Sequence, residues 1–175
     1  MIICPYCNAE NIEGADECDE CHQPLTEMSI RVPASSVEAD LLRDRVEKLW
    51  PKKPFTVPHN TPVSQVLGKM VTEKIGCVMV MDGDKLIGIF SERDALMKLN
   101  VDTPRLASKP ISQFMTASPV TLETSDKIAF ALHKMNVGGY RHLPILFNGK
   151  LAGVISIRDI LRYLTERIAA ASLAR

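Results

Sequence analysis

A mixed α/β (α+β) chain is predicted, built from one β-α-β-β-α unit present twice behind a small metal knuckle and a connecting helix. Three features of the sequence carry this expectation. The chain contains an internal repeat at a constant offset, so that Pro54 matches Pro119 and Arg93-Asp94 match Arg158-Asp159. Each copy carries two β-rich runs flanking a strong hairpin turn. The segment 1–28 contains two C-x-x-C pairs and too few apolar side chains to form a core of its own.

The elements follow in chain order. The segment 34–50 has Val37, Leu41, Leu42, Val46 and Leu49 at helical spacing, with Ser35 or Ser36 as N-cap and Pro51 and Pro54 beyond the end. The repeat then starts. Thr56 matches Thr121, Lys69-Met70 match Lys134-Met135, and Lys85-Leu86 match Lys150-Leu151. Gly88 matches Gly153, Ser91 matches Ser156, Leu96 matches Leu161 and Leu99 matches Leu164. No gap is needed, which marks a duplicated unit. In each copy a short strand (55–57; 120–122) leads to a helix, opened by Thr61-Pro62 in the first and by Thr124-Ser125-Asp126 in the second. The runs Cys77–Met81 and Leu86–Phe90 flank Asp-Gly, and Leu143–Phe147 and Leu151–Ile155 flank Asn-Gly. A closing helix begins near Ser91 and Ser156, whose hydroxyls are natural N-caps. The resulting boundaries are 1–28 for the knuckle, 29–53 for the connector, 54–106 for the first repeat and 107–175 for the second with its C-terminal helix. Cys77 and the methionines at 70, 79, 81 and 135 are expected as core filling.

The knuckle's ligands are Cys4, Cys7, Cys18 and Cys21, in two matched pairs. Each pair closes on one ion from a tight turn, and two facing turns supply a tetrahedral thiolate site. Zn2+ is the usual ion of a structural Cys4 site, although an iron centre uses the same ligands. The run CPYCNAENIEGADECDECHQPL resembles a zinc-ribbon knuckle. Gly usually follows the second and fourth Cys there; Asn8 and His22 take those places, both residues that tolerate a left-handed backbone.

Charge divides the chain in the same way. The formal net charge is zero, yet the segment 1–28 carries seven acidic groups and no Lys or Arg. The remainder holds all 21 basic groups against 14 acidic ones. An acidic knuckle repels phosphates, so nucleic acid is not expected there, while attraction between this head and the basic body is expected to favour docking. No apolar run reaches the ~18 residues of a membrane span and no signal-peptide pattern opens the chain, so a cytoplasmic location is expected.

The order of elements, with IGCVMVMDGDKLIGIFSERD and GGYRHLPILFNGKLAGVISIRD, resembles a tandem CBS domain pair, the Bateman module, over about positions 54–168. This resemblance implies two repeats packed as a pseudo-two-fold pair, a homodimer, and adenine-nucleotide binding in the clefts between paired units. Carried over by position, Asp94 and Asp159 would hold ribose within the motifs headed by Ser91 and Ser156. Arg93, Arg158 and His142 would reach phosphates. Thr56, Thr121, Cys77–Val78 and Tyr140–Arg141 would border the base. The Ser-x-Arg-Asp motif suits such a clamp, since a carboxylate at a helix N-terminus can accept two hydrogen bonds from a ribose diol beside free N–H groups. The bland alternative is a Ser N-cap with an Asp complementing the helix dipole. The second copy enters its strand through Gly138-Gly139-Tyr140-Arg141-His142, which makes the site around Asp159 the expected better phosphate site.

No nucleophile elbow, Walker loop or HExxH motif is present, and a closed Cys4 set leaves no position for a metal-bound water. The expectation is a non-catalytic sensor of AMP, ADP, ATP or S-adenosylmethionine acting on an unidentified protein partner. The alternatives are a constitutive adaptor using the zinc ribbon and an iron-bearing electron carrier.

Overall fold

In a computed structural model the described residues are 1–4, 6–12, 15–23, 25 and 35–173. They fall into two compact units: 1–51 with 122–141 and 155–175, and 52–121 with 142–154.

The first unit opens with the antiparallel pair β1 (Ile2–Ile3) and β2 (Glu10–Asn11). Helix α1 (Ser36–Arg43) follows, with the Ser35 hydroxyl accepting the Glu38 N–H. Position 34 lies outside the described residues. The helix expected to run to position 50 stops at Arg43, and Val46–Leu49 form a separate 3-10 turn. The reason is tertiary. Asp44 takes an extended backbone, its carbonyl accepts the Ile128 N–H at 3.0 Å, and the Val46 N–H reaches the Asp126 carbonyl at 2.7 Å. Val46 and Leu49 are thereby buried.

Helix α5 (Ile128–Gly138) buries Ile128, Phe130, Ala131 and Met135. The expected capping by Thr124-Ser125-Asp126 is not how it starts. Lys127 is the N-cap without a side-chain bond, the Asp126 carboxylate turns back to the Glu123 N–H, and the connector supplies the missing acceptor. Helix α6 (Ile157–Leu173) completes this unit. Its Tyr163 and Arg167 reach Asp44 just beyond α1.

The second unit is centred on a four-stranded sheet in the order β3-β4-β5-β6. Strand β3 (Thr56–Pro58) runs parallel to β4 (Cys77–Asp82), with Thr56 opposite Met79. Strand β4 is antiparallel to β5 (Lys85–Ser91), which pairs at its other edge with β6 (Thr116–Ala117). Helix α2 (Val63–Thr72) covers one face, and Val57, Val63, Val66, Met70, Val78, Val80, Phe90, Leu99 and Ile111 form the core. Pro62, not Thr61, is its N-cap and carries no side-chain bond. The Val63 and Ser64 N–H groups are accepted by the carbonyls of Lys109 and Ala107. Here the Ile111 N–H meets the Thr61 carbonyl at 2.8 Å. In the register of the repeat, that bond is the counterpart of the Val46–Asp126 bond in the other unit.

The closing helix of the first repeat is one turn, α3 (Glu92–Asp94), that widens into a π-helical stretch over Ala95–Leu99. A 3-10 turn and α4 (Thr103–Leu106) follow. The second repeat has strands β7 (Leu122–Glu123), β8 (His142–Phe147) and β9 (Lys150–Ser156), in the sheet order β7-β8-β9. Strand β7 begins later than expected, after a left-handed Ser118 (φ 47) has turned the chain. The hairpin turn Asn148-Gly149 has φ 51 and 73, the pair of positive values that a two-residue turn between twisted strands requires. Met70, Met79 and Met135 are buried as expected, whereas Met81 is half-buried.

Candidate functional site

Two places gather the residues singled out by the sequence. In the head, the Sγ atoms of Cys4, Cys7, Cys18 and Cys21 all lie within 4.8 Å of one another. Cys4 and Cys21 are 3.6 Å apart and Cys7 and Cys18 are 3.5 Å apart. A Zn–S bond of about 2.3 Å in tetrahedral geometry requires sulfur separations of roughly 3.8 Å, so the four thiols suit one ion.

The backbone around them is shaped to the same end. The Asn8 N–H closes on the Cys4 carbonyl at 2.9 Å and the His22 N–H on the Cys18 carbonyl at 2.8 Å. Asn8 and His22 take φ 63 and 55, the left-handed positions that follow the second Cys of each pair. Asn11 ties the halves together, its Oδ1 accepting the Asp19 N–H at 3.0 Å. Burial opposes ionisation of Cys18, but the N–H groups of Cys21 and Glu20, with Cys7 and Asn11, outweigh it and bring the thiol down to about 6. At Cys7 burial dominates and pushes the thiol up to about 11. A thiolate held by N–H donors beside thiols that burial keeps protonated is the donor chemistry of a site completed by a cation.

The second place is the pair of Ser-x-x-Asp motifs. At the end of β5 the Asp94 Oδ2 accepts from the Ser91 N–H at 2.9 Å and the Ser91 hydroxyl at 2.6 Å, while the Asp94 N–H bonds back to Ser91. At the end of β9 the Asp159 Oδ2 accepts from the Ser156 N–H at 2.8 Å and its hydroxyl at 2.6 Å. The first motif is a complete capping box, and in the second the Asp159 carboxylate accepts the Ser156 backbone N–H at the start of α6. The other oxygens are engaged as well. Asp94 Oδ1 accepts from Thr116 at 2.9 Å and pairs with Lys98 at 2.7 Å, and Asp159 Oδ1 pairs with Arg162 at 3.0 Å. Burial works against the Asp94 charge, but Lys98, Ser91 and Thr116 hold its carboxyl below the usual range. A ribose diol would have to share or displace these partners, which the motif alone does not disclose. Lys98 and Arg162 stand one helical turn from their Asp and are legible as such. Thr116, which arrives on the separate strand β6, is not.

Of the remaining residues, Arg141 and His142 stand beside the motifs. The Arg141 carbonyl accepts the Ile157 N–H at 2.9 Å, which sets Tyr140–Arg141 beside the start of α6 and the 156–159 motif. The matching bond in the first repeat joins the Glu92 N–H to the Gly76 carbonyl at 3.0 Å. His142 lies against that same Gly76: a methyl group there would come within 2.9 Å of the imidazole and 3.5 Å of the Glu92 carboxylate. Gly76 and Glu92 thus belong to the surroundings of His142, although no motif points to either. Arg93 and Arg158 are exposed, Val78 is buried opposite Phe90, and Thr56 is exposed on the sheet edge while Thr121 just precedes β7. Cys77 is buried, and burial, reinforced by the Glu92 charge, pushes its thiol up to about 12, so it is no nucleophile.

The chain as a whole is similar to known proteins. The chain is 35% identical over 126 residues to the CBS domain-containing protein CBSCBSPB5 of Arabidopsis thaliana, covering 71% of this chain and 22% of that one. It therefore spans about a fifth of that relative's length. It is 30% identical over 124 residues to an uncharacterized 17.7 kDa protein of Acidianus ambivalens, covering 70% of this chain and 74% of the other. Among solved structures it is similar to a CBS-domain containing protein of Agrobacterium tumefaciens, with 28% identity, 69% and 98% coverage and a TM-score of 0.64. It is also similar to a CBS domain protein of Pyrobaculum aerophilum complexed with AMP, with 25% identity, 73% and 99% coverage and a TM-score of 0.62. The CBS domain model matches residues 46–100 and again 111–166. Both matches begin at the connector segments whose backbones dock in the same way, at Val46 and at Ile111, and on this ground the chain belongs to the CBS domain family.

Proposed function

We propose that this chain is a non-catalytic regulatory protein that binds an adenine nucleotide or S-adenosylmethionine at its CBS repeats and passes the change in packing to a protein partner, as a homodimer. The observation that carries the reading is the pair of Ser-x-x-Asp motifs, each beside a strand-entry segment, in a chain similar to a CBS protein complexed with AMP. In this reading Asp159 with Ser156, Arg158, Tyr140 and Arg141 forms the stronger site. Asp94 with Ser91, Arg93, Thr56 and Val78 forms the other, and His142 and Thr121 serve phosphate and base. Cys4, Cys7, Cys18 and Cys21 hold a structural Zn2+, whose chemistry is to fix the knuckle and not to activate a water. A ligand moves such a protein only through unequal affinity for two states.

A constitutive adaptor is the second reading, and one observation favours it: Asp94 and Asp159 already have partners on both oxygens. Calorimetric titration of AMP, ADP, ATP and S-adenosylmethionine separates the two. The sensor binds at least one, and Asp159→Ala weakens that binding tenfold or more. Undiminished binding in the variant removes the site assignment, and no binding or thermal stabilisation by any of the four leaves the adaptor.

A further inference from the structure

His133 is half-buried on α5, and its imidazole is engaged with the metal knuckle. Its Nε2 donates to the Cys21 carbonyl at 3.2 Å, and its Nδ1 accepts from the Gln23 side chain at 2.8 Å. One ring thus grips the peptide of a metal ligand and a side chain just beyond it. The Gln23 N–H is in turn directed at the Cys21 sulfur. The head's described residues form a two-stranded ribbon with few buried side chains besides the cysteines, so its shape depends on the ion. Without the ion the Cys21 turn loses its fixed position against α5, and both bonds to His133 lose their geometry.

Helix α5 leads directly into the proposed ligand segment. It ends at Gly139, left-handed with φ 63, and the chain continues through Tyr140 to Arg141, whose carbonyl holds the start of α6. The matching position of the first repeat carries no side chain that could serve as such an anchor. In the register of the repeat His133 corresponds to Gly68, which lines an open groove of about 510 Å³ with Gln65, Lys69 and Thr72; a methyl group there would meet nothing within 4 Å. The duplication therefore contains its own control: α2 and α5 are equivalent helices, and α5 carries through His133 the bonds to Cys21 and Gln23 for which α2 has no matching side chain.

We infer that the Cys4 knuckle is an intramolecular clamp on α5, closed through His133 and Gln23, so that metal occupancy sets the order of α5 and of the segment 138–141 and is linked to ligand affinity at the second repeat. The linkage to ligand rests on the function proposed above; the control of α5 does not. By reciprocity, a metal that raises AMP affinity by some factor has its own affinity raised by AMP by the same factor.

The test is amide hydrogen exchange on the full chain, zinc-loaded, stripped by a chelator and reloaded. Stripping is expected to speed exchange of α5 amides about tenfold while leaving α2 unchanged, with reloading restoring the difference. In His133→Ala and in Gln23→Ala, zinc content is expected to stay at one per chain while α5 exchange becomes raised and insensitive to the metal. Equal responses of α2 and α5, no response of α5, or a full metal-dependent difference surviving in both variants overturns the clamp. AMP titration is then run on the loaded and stripped protein. A several-fold difference in affinity, abolished in His133→Ala, is expected, and equal affinities overturn the linkage. Absence of AMP binding in the loaded protein counts against the proposed function instead, and the clamp is then decided by the exchange data.

Discussion

Tyr163 donates its hydroxyl to the Asp44 carboxylate at 2.8 Å, joining α6 to the residue that ends α1. Asp44 is 2% exposed, and its other oxygen receives Lys48 at 2.9 Å and Arg43 at 3.1 Å. Burial opposes its charge, but Lys48, Tyr163 and Arg43 outweigh burial and hold the carboxyl at about 2. In the unfolded chain an Asp titrates near 4. The group therefore stabilises the fold fully above pH ~4 and progressively less as the pH falls towards 2, by about 2 kcal/mol in all. Urea denaturation at pH 7 and pH 3 is expected to show about half of this loss, ~1 kcal/mol from this group, in the wild type and a smaller loss in Asp44→Asn. Asp44→Ala, which strands the Tyr163 hydroxyl and removes the shared partner of Arg43, Lys48 and Arg167, is expected to cost ~3–5 kcal/mol at pH 7. A variant as stable as the wild type at pH 7 would dismiss the cluster as a structural tie.

Gly88 makes room for Met115. A methyl group on Gly88 would lie 2.2 Å from the Met115 sulfur and 2.8 Å from its Cγ, where β5 pairs with β6. Gly88→Ala is expected to cost ~1–3 kcal/mol by overpacking. Because the obstructing atoms belong to a side chain, Met115→Ala should recover part of that cost, giving a coupling energy of about 1 kcal/mol or more in a double-mutant cycle. Strict additivity of the two substitutions would show that the strand and not the methionine sets the glycine.

How far the sequence discloses this molecule depends on the range of each interaction. The hairpins, the Ser-x-x-Asp motifs and the two Cys turns are local, and their residues announce them, although the first hairpin turns at Gly83-Asp84, one residue beyond the expected Asp82-Gly83, because Asp82 still pairs with Lys85. The break in the connector is not local. Val37 to Leu49 keep helical spacing, but Asp44 leaves the helix to accept the Ile128 N–H, a partner that belongs to the second repeat. The equivalence of 44–46 with 109–111 is hidden for a related reason. Both segments act through backbone groups, so Asp44-Arg45-Val46 and Lys109-Pro110-Ile111 share a geometry without sharing an identity. At the site, the motif places Asp94 and Asp159 correctly at helix starts, but Thr116 on Asp94 and Gly76 under His142 arise only from tertiary packing.

Removing the metal is expected to dismantle the head and leave the repeats folded. Metal analysis of purified protein should give one zinc per chain, and Cys4→Ser or Cys18→Ser should lower that to well below one, since a closed thiolate site has no spare ligand. Chelation should open the segment 1–25 to proteolysis while the main thermal transition moves by no more than a few degrees. A coloured protein carrying iron would instead support an electron carrier.

Ser91 and Ser156 give the last test, because they occupy matching positions of the repeat and are unequal in the proposed function. The Ser156 and Ser91 hydroxyls each donate to the carboxylate of their motif at 2.6 Å. Removing a capping hydroxyl costs ~1 kcal/mol, or about 2–4 °C in melting temperature for a chain of this size. Ser156→Ala and Ser91→Ala are expected to lose stability to about this extent. Ligand binding should part them. Ser156→Ala frees the Asp159 carboxylate to turn towards Arg162 and away from the segment at Arg141, so AMP affinity is expected to fall several-fold there and little in Ser91→Ala. Equal losses of affinity would place the two repeats on the same footing, and a larger loss in Ser91→Ala would move the principal site to Asp94.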